Sequence, residues 1–294
     1  KIEAGKMDVL IEDFDVAALI GEVQSVIQPL MAKNANTLVV DGAPIEEAKQ
    51  GQKVAAKRAE RSAKEGIIVT RVRADGKRGV VVEVNSETDF VGRSEDFVRF
   101  AGSVAEVLER ETPASPAALL EMVAGGKKIS EQMNDLLAKV GEKVDIRRYE
   151  VLDSPDGVVS AYTHMGSKIG VLVEFSGLAA ADTVSGAGRD VAMQVAAMNP
   201  LVVTRDQIGK GLLDRELEIY RTQAKNEGKP ENVIERIATG RLEKFYQEAC
   251  LADQTFIKDP GKTVKDILKD AGAKSGATVA VRRFVRFQLG EESK

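Results

Sequence analysis

Gly79-Val80-Val81-Val82-Glu83-Val84 runs directly into Asn85-Ser86-Glu87-Thr88-Asp89-Phe90-Val91. The run of β-branched residues reads as a strand, and an amphipathic helical pattern begins at Ser94. The polar stretch between them carries one Phe, which has two readings. Phe90 can tuck back into the core, the fate of most Phe residues. Alternatively, Asp89 and Phe90 stand on a loop tip and enter a partner, because binding residues concentrate on loops held by rigid elements. Spacing alone favours the core, since a lone aromatic rarely identifies an interface.

Working outward, residues 66–72, an Asp75-Gly76 turn and residues 79–84 predict a hairpin with a two-residue primed turn. A second hairpin follows the same pattern: 157–162, a turn near Gly166-Ser167-Lys168, then 169–175. Gly79-Val80-Val81-Val82-Glu83 aligns with Gly170-Val171-Leu172-Val173-Glu174. Each hairpin precedes an amphipathic helix, over 94–108 and 189–198, and each half closes with a strand containing paired arginines, at Val144 to Arg148 and Val279 to Arg283. The expected fold class is α+β: two repeated β-β-α-β halves with helices packed on small antiparallel sheets.

The closing strands lie further apart in sequence than the hairpins do, so the second half carries an insertion, placed at about 206–250. Leu212, Leu213, Leu217, Tyr220 and Ala224 form one apolar stripe, and Val233, Ile234, Ile237, Leu242, Phe245 and Tyr246 form another. Glu227-Gly228-Lys229-Pro230 separates them, with Gly to end one helix and Pro to start the next. The pattern fits a projecting antiparallel (coiled-coil) hairpin and an ordinary packed helix pair equally well.

Composition limits the chemistry. The 294 residues carry 42 basic and 46 acidic side chains, so overall charge makes no case for nucleic acid. No apolar run reaches membrane-helix length and no signal peptide opens the chain. One Cys rules out an internal disulfide framework and fits a reducing compartment, so the expected location is cytoplasmic. His164 is the only His, Cys250 has no basic cluster beside it, and no Cys/His set has zinc spacing. The Gly272 to Gly276 stretch lacks the phosphate-loop pattern. The expectation is a protein with no enzyme chemistry, no cofactor and no metal.

The first 41 residues read separately. Residues 16–33 carry helical spacing and Thr37-Leu38-Val39-Val40 reads as a strand. Lys1 to Asp8, Phe14-Asp15-Val16, Gln28-Pro29-Leu30 and Asn36-Thr37-Leu38 resemble the piece of sensor histidine kinases that joins the dimerisation helix to the ATP-binding domain. That family's phospho-accepting His and its ATP boxes have no counterpart here. Residues 42–65 read as a charged linker helix, with acidic residues nearly balancing the basic ones. The expected domains are thus 1–41, 42–65, 66–155 and 156–294.

From Gly51 onward the chain resembles another family, bacterial elongation factor Ts, on several independent stretches. These are Gly51 to Arg58, Asn85 to Val91 with Arg93 to Phe97, His164 to Glu174, Asp190 to Pro200, Gly228 to Asn232, Gly240 to Tyr246 and Arg283 to Phe287. The departure is at the front: residues 1–41 are either the kinase-like fragment or a diverged form of that family's small three-helix domain, which Ala4 to Asp8 faintly echoes. The resemblance implies a guanine nucleotide exchange factor for elongation factor Tu, in its GDP-bound and nucleotide-free forms. It implies that Asp89 and Phe90 intrude beside the partner's magnesium site, with Thr88 and Val91 shaping the loop. His164 and Gly166 on the second hairpin and Lys229 and Pro230 on the helical hairpin become further contacts. Neither nucleic acid nor membrane is an implied partner. The alternative reading is a signalling remnant, a kinase-derived piece fused to a non-catalytic α+β binding domain.

Overall fold

Val80, Val82 and Val84 point to one side of their strand and Val81 to the other, and both sides are buried, which explains a continuous Val run in place of alternation. The computed structural model describes residues 62–164 and 166–291. The kinase-like segment, its predicted helix and strand, and most of the predicted linker helix lie outside the described residues. The end of that linker differs from expectation: Ser62 to Lys64 are irregular and Glu65 opens a strand by pairing with Ser86.

The chain then builds β1 (Glu65–Val72) and β2 (Arg78–Ser86), a helical turn α1 (Asp89–Gly92) and the long helix α2 (Glu95–Arg110). A short helix α3 (Pro116–Glu121), the two-residue strands β3 (Val123–Ala124) and β4 (Lys127–Lys128), α4 (Ile129–Val140) and β5 (Val144–Asp153) follow. β2 is the centre of the antiparallel sheet β1-β2-β5. The β1–β2 connection is not the two-residue turn expected from Asp75-Gly76. Arg73 N–H donates to Arg78 O at 2.8 Å, closing a longer loop. Asp75 accounts for it: its carboxylate accepts the Lys77 N–H at 2.9 Å and pairs with Arg73 at 2.8 Å, which favours a wider bend over a tight primed turn.

The second set comprises β6 (Gly157–Thr163), β7 (Ile169–Ser176), α5 (Asp182–Ser185), α6 (Ala187–Met198), α7 (Lys210–Asn226) and α8 (Glu231–Ala249). It ends with β8 (Thr255–Phe256), β9 (Asp259–Thr263), α9 (Val264–Ser275) and β10 (Ala280–Gln288). β7 is the centre of the antiparallel sheet β10-β7-β6. The protein is therefore α+β, with helices on small antiparallel sheets.

Strand alternation sorts the core into layers. Ile67, Val80, Val82 and Val84 pack under Phe97, Phe100, Ala101 and Val104 of α2. Ile68, Val81 and Leu152, on the opposite face, meet Val159 and Leu172 of the second sheet. Val171, Val173 and Phe175 then pack under Val191 and Val195 of α6 and Leu268 of α9. The order is helices, sheet, sheet, helices. Gly79 and Gly170 let the sheets close: a Cβ on Gly79 would stand 2.5 Å from Val159 Cγ1, and one on Gly170 2.4 Å from Ile68 Cγ2.

The same register places two buried carboxylates. Glu83, fully buried, accepts from Arg148 Nε at 2.7 Å, Arg147 at 3.4 Å and the Gly290 N–H at 3.1 Å. Glu174 accepts from Arg283 Nε at 2.7 Å and Arg282 at 3.3 Å. Burial pushes the Glu174 carboxyl upward, but its hydrogen bonds, that from Arg283 foremost, and the Arg283 charge together outweigh burial and hold the pKa below its ordinary value.

α7 and α8 pack on each other, burying Ala224, Ile234 and Ala238, and are tied by Arg221–Glu235 at 2.7 Å and Arg241–Glu227 at 2.6 Å. Their base is the cluster of Ile208, Ala249 and Cys250 with Leu212, Phe245 and Tyr246. Arg205 bridges Asp253 and Glu243 there and lies over the Tyr246 ring at 4.6 Å.

Candidate functional site

Nothing in α1 is long enough to be a stable helix alone, so its shape comes from what holds it. Thr88 is its N-cap, with Oγ1 accepting the Val91 N–H at 3.4 Å. Ser86 Oγ donates to Thr88 O at 2.8 Å, and Ser94 Oγ donates to Val91 O at 2.8 Å while capping α2. Val91 packs against the first core cluster. Gly92 is buried with its Cα side against β1, so that an added Cβ would lie 3.0 Å from the Gly66 Cα. The tip is thus one helical turn, where a loop was expected.

On this clamped turn Phe90 is 85% exposed, the most exposed large apolar side chain among the described residues. The core reading of Phe90 fails. Val91 serves the core instead. Asp89 pairs with Arg93 at 3.0 Å, one turn on, with both side chains well exposed. Such a pair contributes about 0.2–1 kcal/mol and leaves the carboxylate free to change partner.

The second predicted contact region stands close by. Gly166, Ser167 and Lys168 form the β6–β7 turn, with Gly166 and Ser167 in the left-handed region at φ 81° and 55°. Ser167 O accepts the Ile68 N–H at 2.7 Å, Lys168 pairs with Glu65 at 2.9 Å, and the Thr70 and Thr163 hydroxyls meet at 2.8 Å. The turn is therefore fastened to the edge strand β1. An open groove of about 790 Å³ runs between the two regions, with Gly92, Arg93 and Val98 on one wall, Gly166 to Lys168 on the other and β1 as the floor. His164 is exposed at the start of this turn, outside the groove lining, and its Nδ1 lies 3.0 Å from the Tyr162 hydroxyl. Lys229 and Pro230 are exposed between α7 and α8 and do not line the groove.

Two features had no sequence signal: Glu142 accepts hydrogen bonds from Thr88, and the Lys143 N–H donates to Glu87. Both link segments more than fifty residues apart. Elsewhere the chemistry is sparse. Cys250 is buried, and burial, reinforced by the Asp253 charge, pushes its thiol up to about 11, so it stays protonated at neutral pH. Among the described residues no group of three or more His, Cys, Asp or Glu could hold a metal ion, and no helix is long and apolar enough to cross a membrane.

Among the described residues, this exposed aromatic on a held turn stands beside a groove and away from any reactive cluster. The family model described as elongation factor TS matches residues 87–291, starting at the residue just before the N-cap of α1. Elongation factor Ts of Chloroherpeton thalassium is 45% identical over 248 residues, covering 83% of this chain and 86% of that protein. The protein of the same name from Chlorobium limicola is 44% identical over 250 residues, covering 83% and 85%. That of Clostridium perfringens strain SM101 is 40% identical over 243 residues, covering 82% and 80%. With a family model spanning most of the chain and relatives matched over most of their own length, this chain belongs to the elongation factor Ts family.

Proposed function

We propose that this chain carries out its family's role, guanine nucleotide exchange on elongation factor Tu, by inserting the Thr88-Asp89-Phe90-Val91 turn near the magnesium and phosphate site of the GTPase. The observation that carries the reading is the 85% exposure of Phe90 on a turn whose backbone is held by the Ser86, Thr88 and Ser94 hydroxyls. The exchange is non-covalent. A partner that binds the nucleotide-free GTPase better than the GDP form weakens GDP by the same factor. A nucleotide held at nanomolar affinity represents about 12 kcal/mol, whereas burying one Phe supplies about 1.5–3 kcal/mol. Phe90 therefore acts within a wider surface. We assign to that surface Asp89 beside the metal site, His164 and Gly166 across the groove, and Lys229 and Pro230 at the junction of α7 and α8.

The same proposal takes residues 66–155 and 156–294 as repeated halves, with α7 and α8 as a coiled-coil hairpin inserted in the second. The alignment of Gly79, Val81 and Glu83 with Gly170, Leu172 and Glu174 supports the repeat, because the glycines and apolar residues line the same inter-sheet layer and the carboxylates bind equivalent arginine pairs.

The test is release of labelled GDP from elongation factor Tu, measured with Phe90→Ala and the parent. The maximal release rate is expected to fall tenfold or more, with the melting temperature unchanged. An unaltered rate per folded molecule would place the wedge elsewhere.

A further inference from the structure

The backbone ladder between β2 and β5 ends at the pair Ser86–Val144. Immediately beyond that pair, side chains take over. The Glu142 carboxylate accepts two bonds from Thr88, its N–H at 3.0 Å and its Oγ1 at 2.8 Å. The Glu87 carboxylate accepts the Lys143 N–H at 2.7 Å. Each segment thus offers a carboxylate to the other's backbone, a reciprocal clasp resembling a capping box built from two distant stretches. Hydrogen bonds to an ionised carboxylate are shorter and more directional than neutral ones.

The placement of this clasp matters more than its strength. The strands beside it are already paired, so the fold does not need it to bring β2 and β5 together. What it fixes is Thr88. By taking the hydroxyl proton, Glu142 turns the Oγ1 lone pairs toward the Val91 N–H, and so sets the first turn of α1 from which Phe90 stands out. Glu142 is half-buried and lies outside the groove, so it has no direct place in the docking surface assigned above.

We propose that Glu142 is a positioning residue for nucleotide exchange, holding Thr88 and through it the Phe90-bearing turn in the conformation that enters the partner. This rests on the reading of Phe90 as the inserted side chain. A turn released by loss of Glu142 occupies that conformation only part of the time, and the apparent affinity falls by the occupied fraction. The effect therefore falls on the concentration of this chain needed for half-maximal GDP release and spares the maximal rate.

The experiment uses the full chain with elongation factor Tu and labelled GDP. Glu142→Ala is expected to raise the half-saturating concentration about tenfold, with the maximal rate within twofold of the parent. Thr88→Val should also raise the half-saturating concentration, and Thr88→Ser, which keeps the hydroxyl, should keep it at the parent value. The chain contains no Trp, so Phe90→Trp gives a single reporter on the turn. Adding Glu142→Gln, which keeps the side chain's shape, should lower that reporter's anisotropy without moving the melting temperature. Phe90→Ala, by contrast, lowers the maximal rate. If Phe90→Ala impairs exchange while Glu142→Ala and the anisotropy are unaffected, the positioning role is overturned and the wedge reading stands. If neither variant changes exchange, the wedge reading itself is lost. A joint fall of melting temperature and maximal rate in both Glu142 variants would make the residue an ordinary structural one and also overturn the proposal.

Discussion

β2 and β7 are the central strands of their sheets, carry aligned sequences and leave them toward helices, yet the junctions treat their first large apolar residue in opposite ways. After β7, Leu178 turns inward and is 7% exposed in the cluster with Val191 and Val195. After β2, Phe90 faces solvent and Val91 takes the inward position. Leu178 obeys the tendency of apolar surface to leave water. Phe90 does not, and its exposure persists because hydrogen bonds from both sides fix the backbone of its turn. On the reading proposed above, an apolar residue held out by its own support serves another molecule, and the β2 junction is the one that docks.

The largest expected effect lies beneath these junctions, at the two buried carboxylates. Arg147 and Arg148, around Glu83, are 25% and 20% exposed, whereas Arg282 and Arg283, around Glu174, are 41% and 54% exposed. Removing one member of a buried ion pair leaves its partners without compensation and costs about 3–5 kcal/mol. Glu83→Ala should approach that figure in urea unfolding. Glu174→Ala should lose less than half as much, because water reaches its arginines. Equal losses would mean that the sheet beside Phe90 has no firmer base than the other.

Leu178 and Phe90 come next. Leu178→Ala should cost about 2–5 kcal/mol of stability and leave GDP release per folded molecule unaltered. Phe90→Ala should change stability by less than about 0.5 kcal/mol, as exposed substitutions do, while slowing exchange tenfold. Thermal unfolding and exchange measured on both variants would break the comparison if their roles came out reversed.

What was legible in the sequence follows from the range of the interactions involved. The Val run and the stripe of Phe97, Phe100, Ala101 and Val104 in the helix opening near Ser94 announce themselves within a few residues, and both form as expected. The aligned Gly79 and Gly170 were visible as letters, but their purpose, close approach of the two sheets, needed the other sheet in view. The Asp75-Gly76 pair misled because the Asp75 side chain organises the bend through Arg73 and Lys77, outside the dipeptide. Glu142 was invisible because its partner is Thr88, far back along the chain, and a lone Glu after a helix carries no sign of such a partner. The exposure of Phe90 sat between these cases: the polar surroundings allowed it, but spacing alone pointed to the core.

Gly79→Ala probes the layer that both junctions share. Its methyl group would meet Val159 Cγ1 at 2.5 Å inside a packed interface with no flexible neighbour to yield, so overpacking should cost about 1–3 kcal/mol. Gly170→Ala, facing Ile68 Cγ2 at 2.4 Å, should match it. A clear inequality in thermal unfolding would show that one sheet gives way more easily, which would weaken the symmetry on which the comparison rests.

The smallest effect is a dependence on pH, and it concerns the Glu174 carboxylate. The Glu174 carboxyl has its ordinary value at 4.5 and is held below it in the folded chain, where hydrogen bonding and charge, with Arg283 foremost, together outweigh burial. A carboxyl with a depressed folded value releases its proton more readily when folded than when unfolded, so the unfolded state binds more protons as the pH falls. The stability contributed by Glu174 is therefore complete above its ordinary value and is lost as the pH drops through the folded one. Glu174→Gln removes that titration and keeps the shape. The stability difference between the parent and Glu174→Gln, followed by urea unfolding from pH 7 downward, should be constant above about pH 5.5, about a unit above the ordinary value, and shrink below it. A difference that grew on acidification would mean that the folded value is raised and that burial, not the arginine pair, governs this carboxylate.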